Sequence, residues 1–109
     1  MNYEIEIDTG FKREFKALLK KFPSLKDDFE NLISNIETEL ALADDLGGGF
    51  KKIRLTIRSK GKGKSGGARI ITYEAIIAVN ETFLVFASIY NKSDFDSIDI
   101  NLLKRNLGL

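Results

Sequence analysis

The sequence predicts an α+β domain of order β-α-α-β-β-β-α, an N-terminal helical hairpin packed on an antiparallel sheet. Three observations carry that expectation. Apolar residues recur at helical spacing from Phe11 to Leu40 and again after Asp99; they alternate, or run continuously with β-branched residues, between Ile53 and Tyr90; and clusters of Gly, Pro, Asn and Asp separate these segments. With 109 residues, the chain is expected to form one domain, 1–109, with a single core.

The elements follow in order. Tyr3, Ile5 and Ile7 alternate with Glu4 and Glu6, the pattern of a half-exposed strand with an acidic outer face. Asp8-Thr9-Gly10 turns the chain. Phe11, Phe15, Leu18, Leu19 and Phe22 then form the apolar stripe of a helix that shows Lys12, Arg13, Lys16 and Lys20 to water, and Pro23 ends it. Ser24 is expected to cap the next helix, with Asp27 in the acidic position of a capping box. Leu25, Phe29, Leu32, Ile33, Ile36 and Leu40 give that helix one stripe, and the short connection folds the two back on each other. Asp44-Asp45 and Gly47-Gly48-Gly49 stop the second helix; adjacent acids here read as helix termination rather than as a Mg²⁺ site.

Ile53, Leu55 and Ile57 alternate with Lys52, Arg54 and Arg58, which places these three cations on the face opposite the core. A second strand is expected from about Ala68 to Val79, a tight turn at Asn80-Glu81, and a strand from Phe83 to Tyr90 whose two apolar faces mark it as central. Ile100, Leu103 and Leu107 form a short C-terminal helix ending at Gly108.

Charge is unevenly distributed. Lys51, Lys52, Arg54, Arg58, Lys60, Lys62, Lys64 and Arg69 lie between Leu46 and Tyr73 without one acid, although the formal net charge of the chain is only +1. Such a run attracts phosphate or an acidic protein segment. In the segment Ser59 to Arg69 glycine and lysine alternate. Gly63-Lys64-Ser65 imitates a phosphate-binding P-loop, but Arg58 stands where the first glycine would be and a strand, not a helix, follows. The choice is then between a solvated hairpin loop and a loop that contacts phosphate, and the charge of the flanking strands favours the second. The chain has no cysteine and no histidine, which removes disulfides, argues against zinc and leaves no histidine to act as a base. No cofactor and no metal are expected. No apolar run approaches the roughly 20 residues that span a bilayer, and the N-terminus is unlike a signal peptide, so a cytoplasmic location is expected.

Lys52-Ile-Arg-Leu55, the Ser59 to Arg69 segment, Ile70-Ile-Thr-Tyr73, Ile89-Tyr-Asn-Lys-Ser-Asp94 and the Lys20 to Asp28 stretch together resemble the RelE/ParE superfamily of toxins from type II toxin-antitoxin modules, in particular the RelE/HigB-like branch. The resemblance runs from about Phe11 to Leu107. It implies a microbial RNase fold, an mRNA interferase (endoribonuclease) activity that is usually exerted on ribosome-bound mRNA, and neutralisation by a cognate antitoxin. The family's basic pair on the first core strand falls on Lys52 and Arg54, its arginine after the Ser-Gly turn on Arg69, and its basic residue after the last strand on Lys92. Where relatives carry a tyrosine or histidine near the C-terminal helix this chain has Ile98, so that role is vacant or passes to Tyr90 or Tyr73. Lys51, Arg58, Lys60, Lys62 and Lys64 are the expected RNA contacts. The resemblance also admits a non-catalytic, ParE-like inhibitor of gyrase, or an inactive toxin homologue that retains antitoxin binding.

The chemistry asks for the same residue types. Metal-independent cleavage of RNA through its 2′-hydroxyl needs a base, charge stabilisation on the phosphorus oxygens and a proton for the departing 5′-oxygen. Crowding by Arg54, Arg58 and Arg69 makes Lys52 the candidate base, and the arginines the fixed clamps on phosphate.

Overall fold

The computed structural model describes residues 2–61, 66–95 and 97–109. It is an α+β fold: β1 (Asn2–Ile7), α1 (Thr9–Lys21), α2 (Leu25–Ser34), α3 (Ile36–Leu42), β2 (Asp44–Gly47), β3 (Phe50–Leu55), a 3₁₀ turn (Arg58–Lys60), β4 (Ala68–Ala78), β5 (Glu81–Asn91) and α4 (Ile100–Asn106). No helix among the described residues is long and apolar enough to cross a membrane.

The five strands form one sheet in the order β1-β5-β4-β3-β2. It is mixed rather than wholly antiparallel, because β1 runs parallel to β5 from Asn2↔Glu81 to Ile7↔Phe86. β5 is largely buried and lies inside the sheet, paired with β4 along one edge and with β1 along the other. The Val79-Asn80 turn between β4 and β5 carries Asn80 at φ 63°, a left-handed conformation that asparagine tolerates.

Helices cover the sheet on both faces. Phe11, Leu18, Leu25, Leu32 and Leu40 of α1, α2 and α3 pack on Ile53, Leu55, Ile70, Leu84, Phe86 and Ile89. Phe11 and Phe29 meet Phe86 with ring centroids 5.7 and 5.3 Å away. On the other face Leu103 of α4 joins Phe50, Ile71, Ala87 and Tyr90, with Ile98, Ile100, Leu107 and Tyr73 around them. Both parities of β4 are therefore buried near its start, which is why its β-branched residues follow no simple alternation.

The second helix departs from its expected single stripe. It breaks at Asn35 (φ −118°, ψ 29°), whose amide donates to the Leu32 carbonyl at 3.1 Å. Ser34 Oγ donates to the Glu30 carbonyl and Asn35 Nδ2 to the Asn31 carbonyl, at 3.1 and 3.0 Å, so two consecutive short polar side chains compete for helix acceptors. The capping box at Ser24 and Asp27 does not form. Ser24 makes no side-chain cap; its hydroxyl donates to Asp28 Oδ2 at 2.7 Å and accepts from the Ser59 amide at 2.8 Å.

The helix also stops earlier than the acid pair. Asp44 and Asp45 open β2, whose ladder with β3 pairs Asp44 with Lys52, Asp45 with Lys51 and Gly47 with Phe50. Gly49 makes that hairpin possible: at φ +88° it lies so close to β4 that a Cβ would stand 2.8 Å from the Glu74 carbonyl oxygen.

Candidate functional site

Register brings three of the expected residues into one row. Arg54 of β3 is directly opposite Arg69 of β4, and Arg69 is directly opposite Tyr90 of β5. Directly opposed residues share a sheet face, and Lys52, two residues before Arg54, shares it too. The row grades from water to interior. The Arg54 side chain is 57% exposed, whereas Arg69 and Tyr90 are 5% and 4% exposed. Arg69 Nη1 donates to the Ala68 carbonyl at 3.2 Å, which helps hold its guanidinium in place.

The electrostatics follow from this burial. Desolvation, and after it the charge of Arg54, push Arg69 below the ordinary guanidinium value, while Tyr90 and Asp44 act the other way. Burial raises the Tyr90 phenol, with Arg69 opposing. Tyr90 therefore remains a protonated hydrogen-bond donor at neutral pH. Its hydroxyl is buried without a hydrogen-bond partner among the described residues. Beside it lies a cavity of about 70 Å³ lined by Lys52, Ile71, Tyr90, Ile98 and Ile100 together with Leu46 and Ser97. Ile98 thus lines the same cavity as the Tyr90 side chain. Tyr73 instead packs on Phe50, with ring centroids 5.0 Å apart.

The other expected contacts are dispersed. Lys51 is on the face covered by α1, α2 and α3: its Nζ is 3.3 Å from Glu74 Oε1 and donates to the Leu40 carbonyl at 3.5 Å. Adjacent strand residues point to opposite faces, so Lys51 and Lys52 cannot act on one phosphate. Arg58 does not share the face of Lys52 and Arg54 either. β3 ends at Leu55, the chain turns, and Arg58 Nε donates to Asp28 Oδ1 at 2.6 Å with Asp27 3.9 Å away. Burial favours the protonated form of Asp28, but hydrogen bonds from Ser24 and from the Arg58 side chain and amide, with the Arg58 charge, outweigh it and lower the carboxyl.

Lys60, expected as an RNA contact, is held by neighbouring side chains. Its Nζ donates to Asn91 Oδ1 and, at 2.9 Å, to Ser93 Oγ, and lies 5.8 Å from the centre of the Phe22 ring. Lys62 and Lys64 lie outside the described residues. Lys92 is half-buried in the turn after β5, outside the ladder, and its amide donates to the Gly67 carbonyl at 3.0 Å.

One residue of the site was assigned no chemistry by the sequence. Asp44 stands across the ladder from Lys52, and its Oδ2 is 3.5 Å from Arg54 Nη2. A strand beginning at Asp44 is hard to read beside a helix end and three glycines, because four residues carry too little periodicity. Compared with known proteins, the chain matches no family model and no curated sequence.

Proposed function

We propose that this chain is the toxin of a toxin-antitoxin system, an mRNA endoribonuclease of the RelE/HigB type that acts in the cytoplasm on ribosome-bound mRNA. The observation that carries the reading is the opposed pair Arg54 and Arg69. Two arginines stand on directly opposed residues of adjacent strands, one buried and one open to solvent, an arrangement suited to clamping a phosphate between them. Arg69 supplies a fixed positive charge at the floor and Arg54 a reachable one at the rim. Lys52 and Tyr90 flank them with groups able to exchange or share a proton. A cognate antitoxin would neutralise the toxin by laying an acidic segment over Lys52 and Arg54.

The test is to express the chain briefly in cells and map RNA 5′ ends, then to repeat the cleavage with purified protein, ribosomes and a defined mRNA in the presence of EDTA. The expected result is new 5′-hydroxyl ends within coding sequence, each paired with a 2′,3′-cyclic phosphate, and their absence with Arg69→Met. Growth arrest with intact mRNA would overturn the nuclease reading in favour of gyrase inhibition, which relaxation and cleavage assays of plasmid DNA would then reveal.

A further inference from the structure

We propose that Asp44 is the general base of this site, the carboxylate that removes the proton from the attacking 2′-hydroxyl. The proposal rests on the ribonuclease reading and adds to it a residue that neither the charge run nor the resemblance includes.

The geometry distinguishes Asp44 from Asp45, Glu74 and Asp28. It is opposite Lys52 in the β2–β3 ladder and therefore on the face that carries Lys52, Arg54, Arg69 and Tyr90. Its side chain is 47% exposed, so substrate can reach it, and its charge is felt at Arg69 as well as at Arg54. Asp45 points the other way in the strand, and its Oδ1 accepts the Gly47 amide at 2.8 Å, which makes it a turn residue. Glu74 is held against Lys51 on the opposite face, and Asp28 is bound to Ser24 and Arg58.

The chemistry also selects a carboxylate. A base must enter the reaction unprotonated; carboxylates do so at neutral pH, whereas guanidinium and ammonium groups enter as donors. The expectation that Lys52 is the base required three crowding cations. One of them, Arg58, is withdrawn to Asp28, and one of the two ladder partners of Lys52 is instead an acid, Asp44. The Lys52 ammonium is then the proton donor of the pair.

In the resting protein Arg54 is the ion-pair partner of Asp44. A bound phosphate takes Arg54 in its place, which frees the carboxylate beside the ribose whose 3′-phosphate is held. The Asp44 carboxylate then accepts the 2′-hydroxyl proton, the 2′-oxygen bonds to phosphorus, the bond from phosphorus to the 5′-oxygen breaks, and that oxygen takes a proton from the Lys52 ammonium. The products are a 2′,3′-cyclic phosphate and a 5′-hydroxyl, with no change in oxidation state.

The test is single-turnover cleavage of ribosome-bound mRNA as a function of pH by wild type, Asp44→Asn and Asp45→Asn. Binding is measured on the same RNA carrying a 2′-deoxy nucleotide at the cleaved position, and folding by thermal melts. The expected result is a loss of about 100-fold or more in rate for Asp44→Asn, disappearance of the acidic limb of its pH–rate profile, and equal or tighter binding of the 2′-deoxy RNA. Asp45→Asn should keep the wild-type profile. If Asp44 only offsets the arginine charges, Asn at this position keeps the acidic limb and changes melting temperature or affinity alone, which overturns the proposal. Should Asp44→Asn fold poorly, Asp44→Glu provides the second reading: a base is partly retained by Glu, with the acidic limb present. A wild type that cleaves while Asp44→Asn cleaves equally well overturns the role of Asp44 alone, whereas a wild type that leaves all mRNA intact overturns the ribonuclease reading and the role of Asp44 with it.

Discussion

Arg54 and Arg69 occupy directly opposed positions in the β3–β4 ladder, and the second of them is buried. Like charges in that relation destabilise a sheet. Asp44 at the rim offsets part of the repulsion, and on the proposed reading a bound phosphate would offset more. Stability and function would then pull in opposite directions at this pair.

Arg69→Met tests that opposition. Methionine keeps the unbranched aliphatic stem and removes the charge, so thermal stability is expected to hold or rise while cleavage falls by about 100-fold or more. Melting temperature and single-turnover rate measured on the same preparation check both halves.

Asp28 tests the staple between α2 and the turn after β3. Its carboxylate holds the Ser24 hydroxyl, the Arg58 amide and Arg58 Nε. Because its folded value lies below the ordinary one, its contribution is fully present above the usual aspartate range and is lost as pH falls through the lower folded value. Asp28→Asn should destabilise the fold by about 1–3 kcal/mol at neutral pH and flatten the acid side of the stability profile. Denaturant titrations across pH measure this.

Glu14 should show the opposite slope. It covers the part of β5 that β1 leaves unpaired, accepting from Ser88 Oγ at 3.0 Å and from the Ile89 amide at 3.4 Å, yet burial raises its carboxyl despite those bonds. A raised carboxyl stabilises the fold below the ordinary glutamate range and loses that contribution as pH climbs through the raised folded value. Glu14→Gln keeps an acceptor without the buried charge. Its melting temperature is expected to equal or exceed that of the wild type at pH 7 and to lack this decline above the ordinary glutamate range.

Gly49→Ala tests the hairpin that presents Asp44. The positive φ and the 2.8 Å approach to the Glu74 carbonyl leave no room for a Cβ, so a loss of about 1–3 kcal/mol is expected. Since the β2–β3 register sets Asp44 against Lys52, cleavage by the folded fraction should fall as well. Wild-type stability in the alanine variant would show that the hairpin reshapes without strain.

Local pattern was enough for several parts of the protein. The stripe from Phe11 to Phe22 marked α1, the two-sided run from Phe83 to Tyr90 marked a central strand, and Asp99 to Gly108 marked the last helix. Alternation alone put Lys52 and Arg54 on one face. These are features of neighbours within a few residues, where side-chain periodicity and turn chemistry act directly.

The tertiary structure decided what lies between distant segments. It paired Arg58 with Asp28 across thirty positions, anchored Lys60 beside Asn91, sent Lys51 to Glu74, and divided a continuous run of cations over both faces of the sheet. It also placed β1 parallel to β5 and turned Asp44 from a helix stop into a strand residue opposite Lys52. None of these follows from spacing along the chain, because an ion pair or a ladder register depends on which segments the core brings together. A charge run specifies how many cations are present; the register of β2 to β5 specifies which of them can meet one phosphate.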